Sequence, residues 1–307
     1  MVYSFDDGTE ADRRETQYFE MFCNRGLYHQ GWTAVTRHST PWMTAASLPA
    51  FDDDVWELYE PGDWTQANDR AAEMPEKLAE LQALWLDEAR KHNVLPLDDR
   101  RIERFNADLV GRPVLVRGNS QILFGGMGRL SESSVLNVKN KSHAVTAEIV
   151  VPEGGAQGVI IAQGGAFAGW SLYANDGKPT YCYNLLGLQR FKVAGERAMS
   201  PGKHQVRMEF AYDGGGLAKG GTATLYVDGD EVGTGRVEGT VPMIFSGDET
   251  TDIGSDTASP VSDDYGPDDN AFTGRVEWVQ IDLGEDAEDT DHLITPEERL
   301  RVAMARQ

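Results

Sequence analysis

The stretch HQVRMEFAY, residues 204–212, puts Val206, Met208 and Phe210 at every second position with polar residues between them. A period of two sends alternate side chains to opposite faces of a sheet and has no helical component. The same alternation appears in SHAVTAEIVVP (142–152), TATLYVDGD (222–230) and RVEWVQIDL (275–283). Turn signals separate such runs: Asn175-Asp176-Gly177, Asp213-Gly214-Gly215 and Asp228-Gly229-Asp230. Short strands at this spacing predict an all-β sandwich over residues 105–285, long enough to bury a core of its own.

Upstream, residues 1–104 have a different character. Gln17–Met21 and Gly26–Val35 read as two strands, with Asn24-Arg25-Gly26 as the turn between them. A third strand is expected at Trp56–Tyr59, after the acidic turn Asp52-Asp53-Asp54. A helix then opens at Pro75, which suits a first helical turn, and Pro96 marks its end. Leu78, Leu81, Trp85 and Ala89 form its apolar stripe, with Glu76, Glu80 and Asp87 opposite. The expected fold is thus an α+β segment, a small antiparallel sheet with one amphipathic helix, followed by an all-β sandwich. Residues 286–307 read as an acidic linker and a terminal helix, whose Thr295-Pro296-Glu297-Glu298 supplies a capping box.

The 307 residues carry a formal net charge of -22. That disfavours nucleic acid and anionic membrane surfaces, both of which require a Lys/Arg surplus. No apolar run reaches the length of a membrane span. The start, MVYSFDDGTEADRRE, has neither the basic nor the apolar region of a signal peptide. The two cysteines, Cys23 and Cys182, fall in different segments, so free thiols and a reducing, cytoplasmic setting are expected.

Several groups are candidates for chemistry or binding. His29 and His38 lie in or just after the first sheet; a structural role is the expectation for both. Cys23 has no activating base placed by the sequence. Residues 246–270 concentrate Asp248, Glu249, Asp252, Asp256, Asp263, Asp264, Asp268 and Asp269. One bound Ca²⁺ would offset their repulsion, but a solvated loop is the favoured expectation. Trp170, Tyr173, Tyr181 and Tyr183 are expected to pack in the core, with a sugar-binding platform as the alternative. Lys139 and Lys141 in NVKNKSH (137–143) read as an exposed basic turn, with an anionic ligand as the alternative. Gly164, Gly165 and Gly169 fit a strand–turn–strand, not a phosphate-cradling loop.

TQYFEMFCNRGLYHQGWTAVTRHSTPW (16–42) resembles the stretch that opens the C-terminal subdomain of type I sulfatases, the arylsulfatases of the alkaline-phosphatase-like superfamily. WELYEPGDWTQANDRAAEMPEKLAELQALWLDEA (56–89) resembles the next element of that family, including the helix opened by Pro-Glu. The departures are modest: Asp63-Trp64 stands for Asp-Pro, and Asp69-Arg70-Ala71 for Asn-Leu-Ala. HNVLPLDDR (92–100) resembles the segment that closes this region. GVIIAQGGAFAGWSLYANDGKPTYCYN (158–184) and GGTATLYVDGDEVGTGRV (220–237) resemble the concanavalin-like sandwich that long bacterial arylsulfatases append.

The resemblance implies a sulfuric ester hydrolase that uses formylglycine, made from Cys or Ser in C/S-x-P/A-x-R, and Ca²⁺ held by Asp and Asn oxygens. Neither Cys23 (followed by Asn24-Arg25-Gly26) nor Cys182 (followed by Tyr183-Asn184-Leu185) stands in that pentapeptide, and no serine does. The expectation is therefore the C-terminal part of an arylsulfatase, with no catalytic, cofactor-binding or metal-ligating residue of its own. Met1 is then expected to be an internal start or the start of a split or truncated product. The expected partner is the missing N-terminal half, or a second copy. The alternative is a module that binds a glycan or a sulfated ligand.

Overall fold

Strand-forming sequence in residues 16–36 builds three strands, not two. A computed structural model describes residues 5, 7, 14–40, 48–100, 102–111 and 113–284. Its first unit is Met1–Arg104. There β1 (Thr16–Met21), β2 (Asn24–His29), β3 (Trp32–Thr36) and β4 (Trp56–Tyr59) form one antiparallel sheet in that order. The expected single strand Gly26–Val35 breaks at Gln30-Gly31, both with positive φ (48° and 90°). The first turn is at Phe22-Cys23, not at Asn24-Arg25-Gly26. Asn24 is used otherwise: its Oδ1 accepts from the backbone N–H of His38 (2.9 Å) and Ser39 (3.1 Å).

Helix α1 (Pro75–Lys91) starts with Pro75, whose missing N–H costs nothing in the first turn. It ends at Lys91, before Pro96, because His92 and Asn93 already leave helical geometry. Its Leu81, Trp85 and Ala89 are buried against Leu27, Ala34 and Leu58 from the sheet. Full burial of each of the three leucines contributes about 1.5–3 kcal/mol. Trp85 also donates its indole N–H to the Phe19 carbonyl (3.1 Å), which ties the helix to edge strand β1.

The second unit is Phe105–Gln307. It opens with the single turn α2 (Ala107–Val110), capped by the Asn106 side chain and ended by Gly111 in the left-handed region. Eleven strands follow: β5 (Ser120–Phe124), β6 (His143–Val151), β7 (Gly158–Gly164), β8 (Gly169–Asn175), β9 (Lys178–Leu185), β10 (Gln189–Ala194), β11 (Gly202–Tyr212), β12 (Gly221–Val227), β13 (Asp230–Val237), β14 (Thr251–Ile253) and β15 (Arg275–Leu283). They make a five-stranded sheet, β10-β9-β8-β7-β14, and a six-stranded sheet, β13-β12-β11-β6-β15-β5.

The two sheets enclose one core. Val145, Ala147 and Ile149 of β6 and Val206, Met208 and Phe210 of β11 share it with Ile161, Leu172, Tyr181 and Val193 of the other sheet. The alternation read at 204–212 is therefore the inward face of a strand near the middle of its sheet. On the other face, Arg207 donates to Thr146 Oγ1 (2.9 Å) and to Glu209 (2.8 Å), and Gln280 donates to Asp282 (2.9 Å). This polar row is itself buried, so β6, whose sequence alternates, is covered on both faces over most of its length. The linker and helix expected at 286–307 lie outside the described residues.

Candidate functional site

The histidine candidates of the first unit are both engaged with neighbouring side chains. His29 on β2 meets Thr16 Oγ1 at 2.8 Å. His38 is buried, with Nδ1 3.0 Å from both Asp54 oxygens and Nε2 3.8 Å from Asp99. Its ring stacks on Phe51 at 4.4 Å. Arg25 pairs with the same Asp54 and lies over Trp56 (5.3 Å) and Trp85 (5.9 Å). Cys23 is buried, and burial followed by the charges of Glu20 and Asp99 pushes its thiol up to about 11. The shift favours the protonated thiol at neutral pH.

In the second unit the four aromatics are interior. Trp170, Tyr181 and Tyr183 point into the core between the sheets, so they offer no sugar platform. Trp170 donates to Gln163 Oε1 (2.9 Å), and the Tyr183 hydroxyl accepts from Val241 N–H (2.9 Å). Tyr173 faces the other way and is covered by the acidic loop, donating to Asp264 (2.5 Å).

That loop is a lid on the sheet, which corrects the expectation of a solvated segment. Val261 and Tyr265 pack on Val159, Ala162, Tyr173 and Cys182 of the five-stranded sheet. Lys192 pairs with Asp263 and Asp264 (2.5 Å each), and Arg190 donates to the Val261 carbonyl (2.9 Å). Two of the loop's acids are engaged by the protein's own donors. Asp252 is engaged by Arg129 N–H (2.6 Å) and Thr257 (2.8 Å), Asp256 by Val261 N–H (2.9 Å) and Tyr265 (2.7 Å). Among the described residues, no group of three His, Cys, Asp or Glu side chains is placed to hold a metal.

One constellation escaped the sequence reading. Ser200 Oγ lies 3.3 Å from His204 Nε2, and His204 Nδ1 lies 2.6 Å from Asp228. These are the distances of a serine–histidine–aspartate set. Yet Nε2 also lies 2.8 Å from the Ser200 carbonyl, which can only accept. Nε2 is thus shared between the Ser200 hydroxyl and the Ser200 carbonyl, not directed at the hydroxyl alone. The three residues clamp the start of β11 to the β12–β13 turn.

What remains is a pocket of about 770 Å³ at the rim of the sandwich. Helix α2, segment 113–116, segment 131–141 and segment 244–250 wall it. Asn106 and Asn140 anchor these walls by donating to the Pro242 carbonyl (2.9 Å each). Lys139, expected in an exposed turn, is buried here and paired with Glu132. Glu132 also accepts from Phe245 N–H (2.9 Å). Burial pushes the Lys139 ammonium down, and Glu132 pushes it back up. Lys141 lies 2.8 Å from Asp108. The lining of the cleft mixes the aliphatic Val114, Leu115, Val116 and Leu136 with acids, lysines, serines and asparagines, and its size is that of a small-ligand cleft. The glycines of 164–169 are elsewhere, in the β7–β8 hairpin, as the strand–turn–strand reading has it.

No family model matches the chain, and no curated protein matches it. Solved structures of similar fold include the Ruminococcus gnavus IT-sialidase CBM40 bound to α2,6-sialyllactose: 12% identity, 62% of this chain, 99% of that chain, TM-score 0.37. Mouse laminin α1 domains LG4-5 align at 19% identity over 55% of this chain and 41% of that one, TM-score 0.32. Domain 4 of the Geobacillus stearothermophilus arabinanase AbnA, in complex with arabinotriose, aligns at 15% identity over 55% and 68%, TM-score 0.32. Likenesses this distant carry no argument about function.

Proposed function

We propose that the chain is the C-terminal part of an arylsulfatase, with residues 105–285 as a concanavalin-like sandwich appended to it. The observation that carries this reading is the pair of motif blocks at 16–42 and 56–89. Their described parts fall on β1–β3 and on β4 through α1, so both belong to one sheet-and-helix unit. On this reading the chain shapes a substrate cleft but does not hydrolyse sulfate esters alone. The formylglycine, its calcium and the residues that protonate the leaving alcohol come from the other half. That half would cover the sheet face opposite α1, where Phe19 and Met21 are 57% and 67% exposed.

The test is complementation. The DNA immediately upstream should encode a C-x-P-x-R segment, in frame or frameshifted. Co-expression of that product with this chain should yield a complex that cleaves a chromogenic aryl sulfate. An upstream region without the segment would remove the reading.

A second reading makes the sandwich a binding module for a glycan or sulfated ligand. A self-contained core and a rim pocket of its own support it. A glycan array probed with residues 105–284 should then give a consistent hit, and a blank array counts against it.

A further inference from the structure

One end of the sandwich holds six large apolar side chains out in water. The β7–β8 and β9–β10 tips meet there: a Cβ on Gly187 would stand 2.9 Å from the Ala166 carbonyl oxygen. A single buried residue locks the two tips together. Asn184 donates to the Gly165 and Ala166 carbonyls (2.8 and 3.1 Å) and accepts from Gly187 N–H (3.0 Å). The tips carry Phe167, 71% exposed, Leu188, 85% exposed, and Leu186. Residues 164–169 and 185–189 include no charged side chain, in a chain of net charge -22. The β11–β12 loop lies beside them, since a Cβ on Gly239 would touch both Leu185 and the Ala218 carbonyl, and it exposes Leu217. Asn140 joins that loop to the rim pocket by accepting from Ala218 N–H (3.0 Å). The pocket wall adds the exposed Val114 and Leu115.

Apolar side chains fixed in water gain by being covered. The chain itself leaves from this end. Strand β15 finishes at Leu283, which pairs with His143 and lines the rim pocket, and Gly284 donates to the Ser142 carbonyl (3.3 Å). Residues 285–307 follow, outside the described residues. The first eight of them, EDAEDTDH, reach up to about 26 Å when extended, against about 10 Å between packed sheets. Leu293, Ile294, Leu300, Val302 and Met304 come next. A linker this short presents them to the end of the sandwich at an effective concentration on the order of millimolar. A second copy of the chain has no such tether, and the like charge of two chains at -22 each opposes it.

We propose that residues 293–304 dock on this end of their own sandwich, their apolar side chains covering Val114 and Leu115 of the rim pocket and the Leu186–Leu188 tip. A ligand of the rim pocket must then displace them. The proposal is independent of the arylsulfatase reading, because it uses only the sandwich and the residues that follow it.

The experiment introduces a photocrosslinking apolar residue into the full chain, as Leu188→p-benzoylphenylalanine or Leu115→p-benzoylphenylalanine. After illumination, the digested protein is read by mass spectrometry. The expected result is a crosslink within one chain to residues 293–304. Adding Leu300→Asp and Met304→Asp should lower its yield about ten-fold, with an unaltered near-ultraviolet spectrum showing that the fold is kept. Crosslinks between chains in its place would seat a second copy there and overturn the proposal. No crosslink to residues 293–304 at either position, or a yield that the double variant leaves unchanged, overturns it as well.

Discussion

Asp256 and His143 titrate in opposite senses over the same pH range. Burial, then the charges of Asp252 and Glu249, pushes Asp256 from 3.8 up to about 6, although Tyr265 and Val261 donate to it. Its Oδ1 is buried without a partner. A folded-state value above the unfolded one means that the folded chain holds the proton more tightly. Asp256 therefore costs stability as pH rises from about 4 to about 6, on the order of 3 kcal/mol in total. Burial lowers His143 from 6.5 to about 4, its Nδ1 donating to the Lys141 carbonyl (3.1 Å). That group costs stability as pH falls through the same window. The two slopes oppose each other, so the parent protein should change little from these groups between about pH 4 and 6. Asp256→Asn should stabilise at pH 7 and become acid-sensitive, and urea titrations at several pH values check it. Tyr181 offers a simpler test. Its hydroxyl is buried in the core with no hydrogen-bond partner among the described residues. Tyr181→Phe should be neutral or stabilise by about 1 kcal/mol, and a lowered urea midpoint would contradict that.

At the scale of elements, α1 depends on Trp85, which fills the core between helix and sheet and donates to Phe19. Trp85→Ala should destabilise the first unit by about 3–5 kcal/mol, Trp85→Phe by less, read by hydrogen exchange of β1 and β2 amides. For the acidic loop, chelator should leave the melting temperature unchanged, since the carboxylates of Asp252 and Asp256 are held by N–H and O–H donors. A drop on chelation would mean that the loop holds a cation. The period of two at 204–212 was legible because its two faces differ so sharply in polarity. The helix was legible because Pro75 and four spaced apolar residues point one way. The break at Gln30-Gly31 was missed because the weight fell on Asn24 and Gly26, whose roles are a side-chain anchor and a close-packed strand position. The lid was missed because Val261 and Tyr265 are its few apolar residues, set among acids. The buried Lys139 had a signal in hindsight: it follows Val135, Leu136 and Val138, all three in the core. Of the rim pocket, Lys139 and Lys141 stood out in the sequence; their meeting with the other walls had no signal, since segments far apart in sequence wall it.

At the scale of the molecule, the sandwich has its own core and both of its sheets, so residues 105–284 should fold and melt cooperatively alone. A net charge of -22 makes self-repulsion a standing cost, and added salt should raise the melting temperature of the full chain. On the proposed arylsulfatase reading, these 307 residues have no C/S-x-P/A-x-R pentapeptide and so form no formylglycine. The most direct measurement pairs a chromogenic aryl sulfate assay of the purified chain with a hydrazide label for protein aldehydes. The expected result is no turnover and no label. Turnover together with a labelled residue would contradict the account.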